Sequence, residues 1–211
     1  MYAGVMNGKI YIWGCGLEVD IPRTGEVFDP TLNSWSELQH PTLDIPPYLE
    51  LHAVWEEQNR FLFQSTETKD LYVYDAEQDS WALYDSSYGR RRNKAAVVGE
   101  IMYVFHKGEV HAYDLDKRKW FKKAVANLRN QGCLPPAHGP LSEEGTLLHL
   151  GNGRLCLIWD QDVGDLKYVH CIKFAVCKER YVHRVALVAC AVSSSVFYIK
   201  GDRILQSCLA L

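Results

Sequence analysis

Val27-Phe28-Asp29-Pro30, followed by Asn33-Ser34-Trp35, is one of three copies of the same short motif in this chain of 211 residues. The second copy is Val73-Tyr74-Asp75 with Asp79-Ser80-Trp81, and the third is Ala112-Tyr113-Asp114 with Lys119-Trp120. In each copy an aromatic residue precedes an Asp, and a Trp follows that Asp six residues later. Self-similarity at a period of about 40 residues indicates stacked supersecondary units.

A hairpin signal lies upstream of each motif. In the first copy Asn7-Gly8 separates two apolar runs, and Asn-Gly is a strong hairpin signal because both central residues of a tight turn need a positive φ. The second hairpin turns at Gln58-Asn59 and the third at Gly99-Glu100. A third strand ends at each Asp and a fourth begins at each Trp. We therefore predict at least twelve short antiparallel strands, four to a unit, with almost no helix.

The motif residues have physical roles in such a unit. A carboxylate at a strand end accepts backbone N–H groups of the following turn, and a Trp side chain supplies wide apolar area between packed sheets. We predict that the three Trp residues occupy equivalent buried positions. The predicted repeat-signature residues are Asp29, Trp35, Asp75, Trp81, Asp114 and Trp120.

The C-terminal third of the sequence follows the pattern less closely. Asn152-Gly153 marks a fourth hairpin, but the long third strand at Tyr168–Val176 lacks the Asp and Trp signature. Ser193-Ser194-Ser195 predicts a turn into an opening strand at Val196–Ile199, which would be part of a fifth unit. We expect one domain over residues 1–211, with units at about 1–40, 50–85, 93–125 and 146–190 and a partial unit at 191–211.

Composition narrows the function class. Apolar residues make up 47% of the chain and aromatic residues 12%, which is enough for a packed core. Apolar runs stay below the length of about 18 residues that spans a bilayer, the N-terminus does not read as a signal peptide, and the net charge of −3 argues against a nucleic-acid-binding surface.

The seven Cys form no C-x-x-C pair. We interpret Cys156, Cys171 and Cys190 as reduced core thiols of a cytoplasmic or nuclear protein, and expect neither nucleic acid nor membrane as a partner.

The segment Ile10-Tyr11-Ile12-Trp13-Gly14-Cys15-Gly16, followed by Glu26-Val27-Phe28-Asp29-Pro30 and Trp35, resembles a kelch repeat, which is one blade of a β-propeller. More narrowly, the opening Gly4–Tyr11 and the copy that ends at Trp120 resemble plant F-box/kelch-repeat proteins. The resemblance is firm over residues 1–125 and looser beyond. It implies an all-β, kelch-type β-propeller that is incomplete, with about four to five blades, and so an open arc or partial ring.

The same resemblance implies a protein-interaction module. Members of the family carry an N-terminal F-box that docks onto the Skp adaptor of a cullin-based ubiquitin ligase, while the propeller holds the protein substrate. This sequence opens directly on a first blade strand and lacks the usual Gly-Gly doublet after Phe63 and Phe105. We therefore expect Skp binding only if a longer isoform supplies an F-box. A truncated gene model and a non-functional relic stay open as alternatives.

A kelch-fold enzyme, either a metal-dependent oxidase or a specifier-like protein, is the main rival. Tyr103, His106, His111 and Tyr113 lie close in sequence, and His111 shares a strand face with Tyr113. His111, however, occupies the slot that Glu26 and Tyr72 fill in the other units, so this position varies. We expect no enzyme activity, no cofactor, and no catalytic, cofactor-binding or metal-binding residues.

Basic side chains suggest where a partner would bind. In a four-stranded antiparallel unit, the turn between strands two and three lies at the same end as the connection to the next unit. Arg90-Arg91-Arg92 falls in such a connection and could hold an acidic peptide through bidentate Arg–carboxylate contacts, although a solvated loop is the alternative. The predicted partner-binding residues, which we call the basic rim, are Arg23, Lys69, Arg90, Arg91, Arg92 and Lys107.

Overall fold

The computed structural model describes residues 2–14, 25–41, 45–46, 48–89, 94–128, 145–164, 166–181 and 184–200. In these ranges sixteen strands form four antiparallel sheets, and the helical structure is a single 3-10 turn at Glu56–Gln58. The prediction of at least twelve strands with almost no helix is confirmed for these residues.

Each sheet is a four-stranded meander in which the order of strands in space follows their order in sequence. The first sheet comprises β1 (Tyr2–Met6), β2 (Lys9–Trp13), β3 (Gly25–Asp29) and β4 (Ser34–Glu37). The second comprises β5 (Leu49–Trp55), β6 (Arg60–Ser65), β7 (Leu71–Asp75) and β8 (Ser80–Asp85). The third comprises β9 (Ala95–Val98), β10 (Ile101–His106), β11 (Glu109–Asp114) and β12 (Lys119–Trp120). The fourth comprises β13 (Gly145–His149), β14 (Arg154–Val163), β15 (Leu166–Tyr181) and β16 (Arg184–Lys200). The chain is all-β, and its sheets are of the kind that form propeller blades.

The tight turns follow the sequence signals. Asn7 and Gly8 have φ values of 51° and 73°, and Asn152 and Gly153 have φ values of 52° and 68°. Two successive residues with positive φ match the twist of the flanking strands, which is why Asn-Gly is favoured there. The predicted hairpins at these two sites are confirmed.

The chain divides into two compact units, residues 1–92 and 93–211, and each unit has its own apolar core. The core of the first unit is aromatic: the ring of Trp13 lies 4.7 Å from that of Phe61 and 5.0 Å from that of Phe63. A Cβ atom at Gly4 would stand 2.6 Å from Cε1 of Phe61, so the first sheet approaches the second at a point where only glycine fits. In the second unit Phe105, Leu157 and Phe174 are buried in a largely aliphatic core. The single-domain expectation and the open-arc expectation stay predictions.

The prediction of a turn at Ser193-Ser194-Ser195 is wrong. β16 runs without interruption from Arg184 to Lys200, and the three serines pair with Lys173, Ile172 and Cys171 of β15. A register shift between Lys173 and Phe174 leaves Val192 unpaired, so a β-bulge accommodates the local irregularity and the strand continues. Long pairing with β15 overrides the local turn preference of serine.

Candidate functional site

Each signature Asp organises the turn that follows it. Oδ1 of Asp29 accepts hydrogen bonds from the Thr31 backbone N–H at 2.9 Å and from the Thr31 hydroxyl at 2.6 Å. Oδ1 of Asp75 accepts from the backbone N–H groups of the residues two and three positions later, at 3.1 and 3.0 Å. Asp114 accepts from the Lys117 backbone N–H at 2.9 Å. The predicted role of the carboxylate is therefore visible in all three copies.

Each of these carboxylates also has a cationic partner. Lys9 pairs with Asp29 at 3.0 Å and Arg60 pairs with Asp75 at 3.1 Å, both from the strand opposite. In the third copy Lys117 supplies the cation at 2.7 Å from within the turn itself. The Thr31 hydroxyl and then Lys9 hold the pKa of Asp29 well below its ordinary value. The signature is thus a structural device for closing the β3–β4, β7–β8 and β11–β12 turns.

The three signature Trp residues are equivalent in register but not in burial. Each stands opposite the aromatic residue that precedes the Asp, at ring distances of 5.0 to 5.2 Å. These pairs are Phe28–Trp35, Tyr74–Trp81 and Tyr113–Trp120. The prediction that all three are buried is wrong, because Trp35 is 51% exposed and the other two are half-buried. The fourth strand is the edge strand of each sheet, so its Trp is covered only where another segment crosses it.

Such a segment crosses Trp81. Nε1 of Trp81 donates to the backbone carbonyl of Gln39 at 3.1 Å, and the backbone N–H of Gln39 donates to Oδ1 of Asp79 at 2.8 Å. The hydroxyl of Tyr74 donates to the same carboxylate oxygen at 2.6 Å. Burial, followed by this hydrogen bond, raises the pKa of Tyr74. The connection that leaves the first sheet is thereby fixed to the second sheet.

The β6–β7 turn and the connection that follows β8 lie at the same end of the second sheet. Ser65 closes the turn by accepting from the backbone N–H groups of Glu67 and Thr68 at 3.2 and 3.1 Å. Lys69 stands in this turn with a φ of 70°. Nε2 of Gln64 donates to the carbonyl of Gly89 at 2.6 Å, so the residue before Arg90 is tied to the end of β6.

A buried polar pair holds the same connection. Nε2 of His52 lies 2.6 Å from the hydroxyl of Tyr88, and both side chains are almost fully buried. Burial lowers the pKa of His52 to about 3, so the imidazole is neutral at physiological pH. His52 stands at the point where the register of β5 against β6 shifts, between Leu51 and Ala53. The bulge and the pair together fix the position of residues 88 and 89.

The basic rim is described only in part. Lys69 lies at the β6–β7 turn, and Lys107 lies exposed at the β10–β11 turn with a φ of 51°. Each lysine is therefore at the predicted end of its own sheet, in the first and the second unit respectively. Arg23, Arg90, Arg91 and Arg92 lie outside the described residues. The partner-binding role of all six residues stays a prediction.

Sequence reasoning did not find an aromatic cleft in the first unit. The cleft is small and partly open, and all the described residues around it are uncharged. These lining residues are Tyr2, Trp13, Gly14, Gly25, Gln39, Pro41, Leu49, Phe63 and Trp81. Nε1 of Trp13 is buried and has no hydrogen-bond partner among the described residues. Four of the nine positions are aromatic, but they span residues 2 to 81, so their convergence leaves no local sequence signal.

The described residues contain no group of three or more His, Cys, Asp or Glu side chains that could hold a metal ion. The rings of His106 and His111 lie 6.3 Å apart. His170 stacks on Trp159 at 4.8 Å, while the thiol of Cys171 lies 3.2 Å from that of Cys156, so His170 and Cys171 face opposite sides of β15 as strand geometry requires.

The interpretation of three cysteines as core thiols holds for Cys156, which is buried, and less for Cys171, which is half-buried. It is wrong for Cys190, which is exposed although the preceding residues Leu187–Ala189 of β16 are buried.

Comparison with known proteins gives a consistent set of relatives. The chain is similar to F-box/kelch-repeat proteins of Arabidopsis thaliana. One is 28% identical over 120 residues, which cover 57% of this chain and 31% of the relative. A second is 24% identical over 181 residues, which cover 85% of this chain and 42% of the relative, and a third is 23% identical over 184 residues, which cover 84% and 46%. The chain therefore spans less than half the length of these curated relatives.

No protein-family model matches the chain. Among solved structures, the hydrazine synthase of Kuenenia stuttgartiensis aligns with a TM-score of 0.42 and 12% identity, over 85% of this chain and 44% of that one. No helix in the described part of the chain combines the length and apolarity needed to cross a membrane.

Proposed function

We propose that this chain is a protein-interaction module that holds an acidic segment of a protein substrate, as the substrate-recognition propeller of an F-box/kelch ubiquitin-ligase receptor. The observation that carries the proposal is the shared end of the second sheet. The turn with Lys69 and the connection that leads into Arg90 lie at this end, because Gln64 binds the carbonyl of Gly89. The similarity to F-box/kelch-repeat proteins supports the same reading.

Charge defines the partner. Arg90, Arg91 and Arg92 place three consecutive cations next to Gly89, in a chain whose net charge is −3. Guanidinium groups bind carboxylates in a bidentate geometry, which favours aspartate and glutamate side chains over isolated polar groups. Clustered cations at one rim also accelerate the encounter with an acidic partner, and this acceleration falls with added salt.

Contact with the Skp adaptor is a further part of the proposal. This chain covers 31% to 46% of the length of its relatives, and we propose that it contacts the Skp adaptor only if a longer isoform supplies an F-box. The present chain supplies substrate binding and catalyses no reaction.

The proposal is tested with a fluorescein-labelled peptide of twelve residues in which Glu alternates with Gly, by fluorescence anisotropy. The wild-type chain is expected to bind it, with an affinity that drops about tenfold between low and moderate salt. The triple variant Arg90→Glu, Arg91→Glu, Arg92→Glu is expected to lose about tenfold or more of the low-salt affinity, with a melting temperature within a few degrees of wild type.

The matched control changes Lys119, Lys122 and Lys123 to Glu. These three residues are exposed, lie in β12 or directly after it, and are not part of the basic rim. The control carries the same change in charge and is expected to keep the wild-type affinity within about threefold. Equal loss in the two variants, or no binding by the wild-type chain, contradicts the proposal.

A further inference from the structure

We infer that Cys156 and Cys171 form a modification site at which hydrogen peroxide oxidises the two thiols to a reversible disulfide. The inference goes beyond the proposed function, because it concerns the fourth sheet and does not depend on a bound partner. Cys156 lies on β14 and Cys171 lies on the neighbouring strand β15. Their Sγ atoms are 3.2 Å apart, and both residues are thiols in this structure.

The register of the two strands places the thiols side by side. Cys156 stands opposite Lys173, and Cys171 lies two positions before Lys173 on the same strand. Since residues two positions apart on a strand point to the same face, both cysteines lie on one face of the sheet. The pairing runs from Arg154 to Val163 without a register shift. A disulfide bond is about 2.05 Å long, so the two sulfur atoms, now 3.2 Å apart, must approach by about 1.2 Å.

The difference in exposure sets the order of the reaction. Cys156 is 3% exposed, whereas Cys171 is half-buried and is the thiol that the peroxide meets first. The thiolate of Cys171 attacks one peroxide oxygen, the O–O bond breaks, and a sulfenic acid and hydroxide form. The thiolate of Cys156 then attacks the sulfenic sulfur and displaces the second oxygen as hydroxide. The two protons lost by the thiols convert both hydroxides to water, so two thiols give up two electrons and one peroxide is reduced.

A second cysteine pair in the same sheet separates the effect of contact from the effect of exposure. Cys177 of β15 stands opposite Val188, and Cys190 of β16 stands opposite Ala175. These two cysteines are therefore also diagonal neighbours on one face, and both are exposed. Among the described residues, however, no contact joins their sulfur atoms. We expect them to react with oxidants as separate thiols.

Peptide mapping of the peroxide-treated chain tests the inference. The oxidised protein is denatured, its remaining thiols are blocked with N-ethylmaleimide, and it is digested with trypsin. Cleavage after Lys167 separates Cys156 from Cys171, which fall in the peptides 155–167 and 168–173. We expect these two peptides to be joined to each other and to separate on addition of dithiothreitol. A disulfide between Cys177 and Cys190 should be at least about tenfold less abundant.

Two serine variants test the order of attack. In Cys156→Ser the sulfenic acid of Cys171 has no neighbouring thiol to resolve it, so dimedone added with the peroxide is expected to label Cys171. In Cys171→Ser the labelling of Cys156 is expected to be about tenfold slower, because this thiol is buried. Cys177→Ser removes an exposed thiol of the same strand and is expected to leave the joined peptides unchanged.

The mapping of the wild-type chain decides the inference without reference to the variants. Oxidation of Cys171 to a sulfinic acid, or to a mixed disulfide with added glutathione, without the joined peptides overturns it. A disulfide that forms equally well between Cys177 and Cys190 also overturns it, since the contact between Cys156 and Cys171 would then have no effect. Equal rates of dimedone labelling in the two serine variants overturn the assigned order of attack.

Discussion

Single residues show how one motif is completed in different ways. Lys9 and Arg60 take the same place in their sheets, opposite the signature Asp, whereas the third sheet has Ile101 there. The cation of the third copy comes instead from Lys117 in the turn. The turn hydrogen bonds are local and follow from the motif, but the choice of ion-pair partner depends on the register of the second strand.

The buried His52–Tyr88 pair predicts a pH dependence of stability. The unfolded chain binds a proton at His52 below about pH 6.5, but burial lowers the pKa of the folded form to about 3. The stabilising contribution is therefore complete above pH 6.5 and is lost progressively as the pH falls from 6.5 towards 3, by at most about 1.4 kcal/mol per pH unit for one group.

The variant His52→Gln keeps a hydrogen-bonding side chain but does not titrate in this range. We expect it to lose less free energy of unfolding than wild type between pH 7 and pH 4.5, as measured by urea denaturation. His40→Gln replaces an exposed histidine and should retain the wild-type loss. Identical losses in wild type and His52→Gln would show that His52 is not the titrating group.

At the scale of the element, β16 is the clearest departure from the local pattern. Its first half is covered at the outer edge by Ala126, which accepts from the Ala189 N–H at 3.0 Å and donates to Leu187 at 2.9 Å. Beyond the bulge, β15 is the one strand that pairs with it within the described ranges. A long antiparallel partner thus keeps three serines extended where their own preference is for a turn.

Proline substitutions distinguish a strand from a turn in this segment. Successive residues of an antiparallel strand direct their N–H groups alternately towards the partner and away from it. One of the two variants Ser194→Pro and Ser195→Pro must therefore remove a hydrogen bond to β15, at a cost of about 1–3 kcal/mol, while the other costs less. The free energy of unfolding by urea is the measurement. Two neutral substitutions would restore the turn interpretation.

At the scale of the whole molecule, the position of exposed apolar side chains bears on self-association. Each unit has its own buried core, yet the outer half of β16 exposes large side chains. Val196 is 56% exposed, Phe197 is 59% exposed and Tyr198 is 73% exposed. Between its terminal Arg184 and Lys200, β16 contains no charged residue. An edge strand with exposed apolar side chains is a template for association, because its outward-facing N–H and C=O groups can extend the sheet.

We therefore expect the purified chain to self-associate at micromolar concentration. The double variant Val196→Lys, Phe197→Lys places charges on this edge and should shift the sedimentation profile towards monomer. Leu32→Lys with Leu150→Lys changes two exposed leucines in turns and should leave the wild-type profile unchanged. A monodisperse wild-type monomer would contradict the expectation.

Some features of the candidate site can be predicted from the sequence and others cannot. The meander topology follows from hairpin turns and motif spacing, and it correctly assigns Lys69 and Lys107 to the turns between second and third strands. The aromatic cleft does not follow, because Trp13, Leu49 and Trp81 meet only when two sheets pack. The same is true of the His52–Tyr88 pair, whose members are 36 residues apart.

The sequence by itself determined the repeat, the four-stranded units, the Asn-Gly hairpins and the Asp-closed turns, because each depends on interactions among residues a few positions apart. Tertiary structure alone decided the burial of the three Trp residues, the continuity of β16 and the lining of the cleft. Those features depend on which segment of the chain packs against the edge of each sheet. The packing is set by contacts between residues distant in sequence, such as the hydrogen bond from Trp81 to the carbonyl of Gln39. The combined energy of such contacts exceeds the local conformational preference of any single residue.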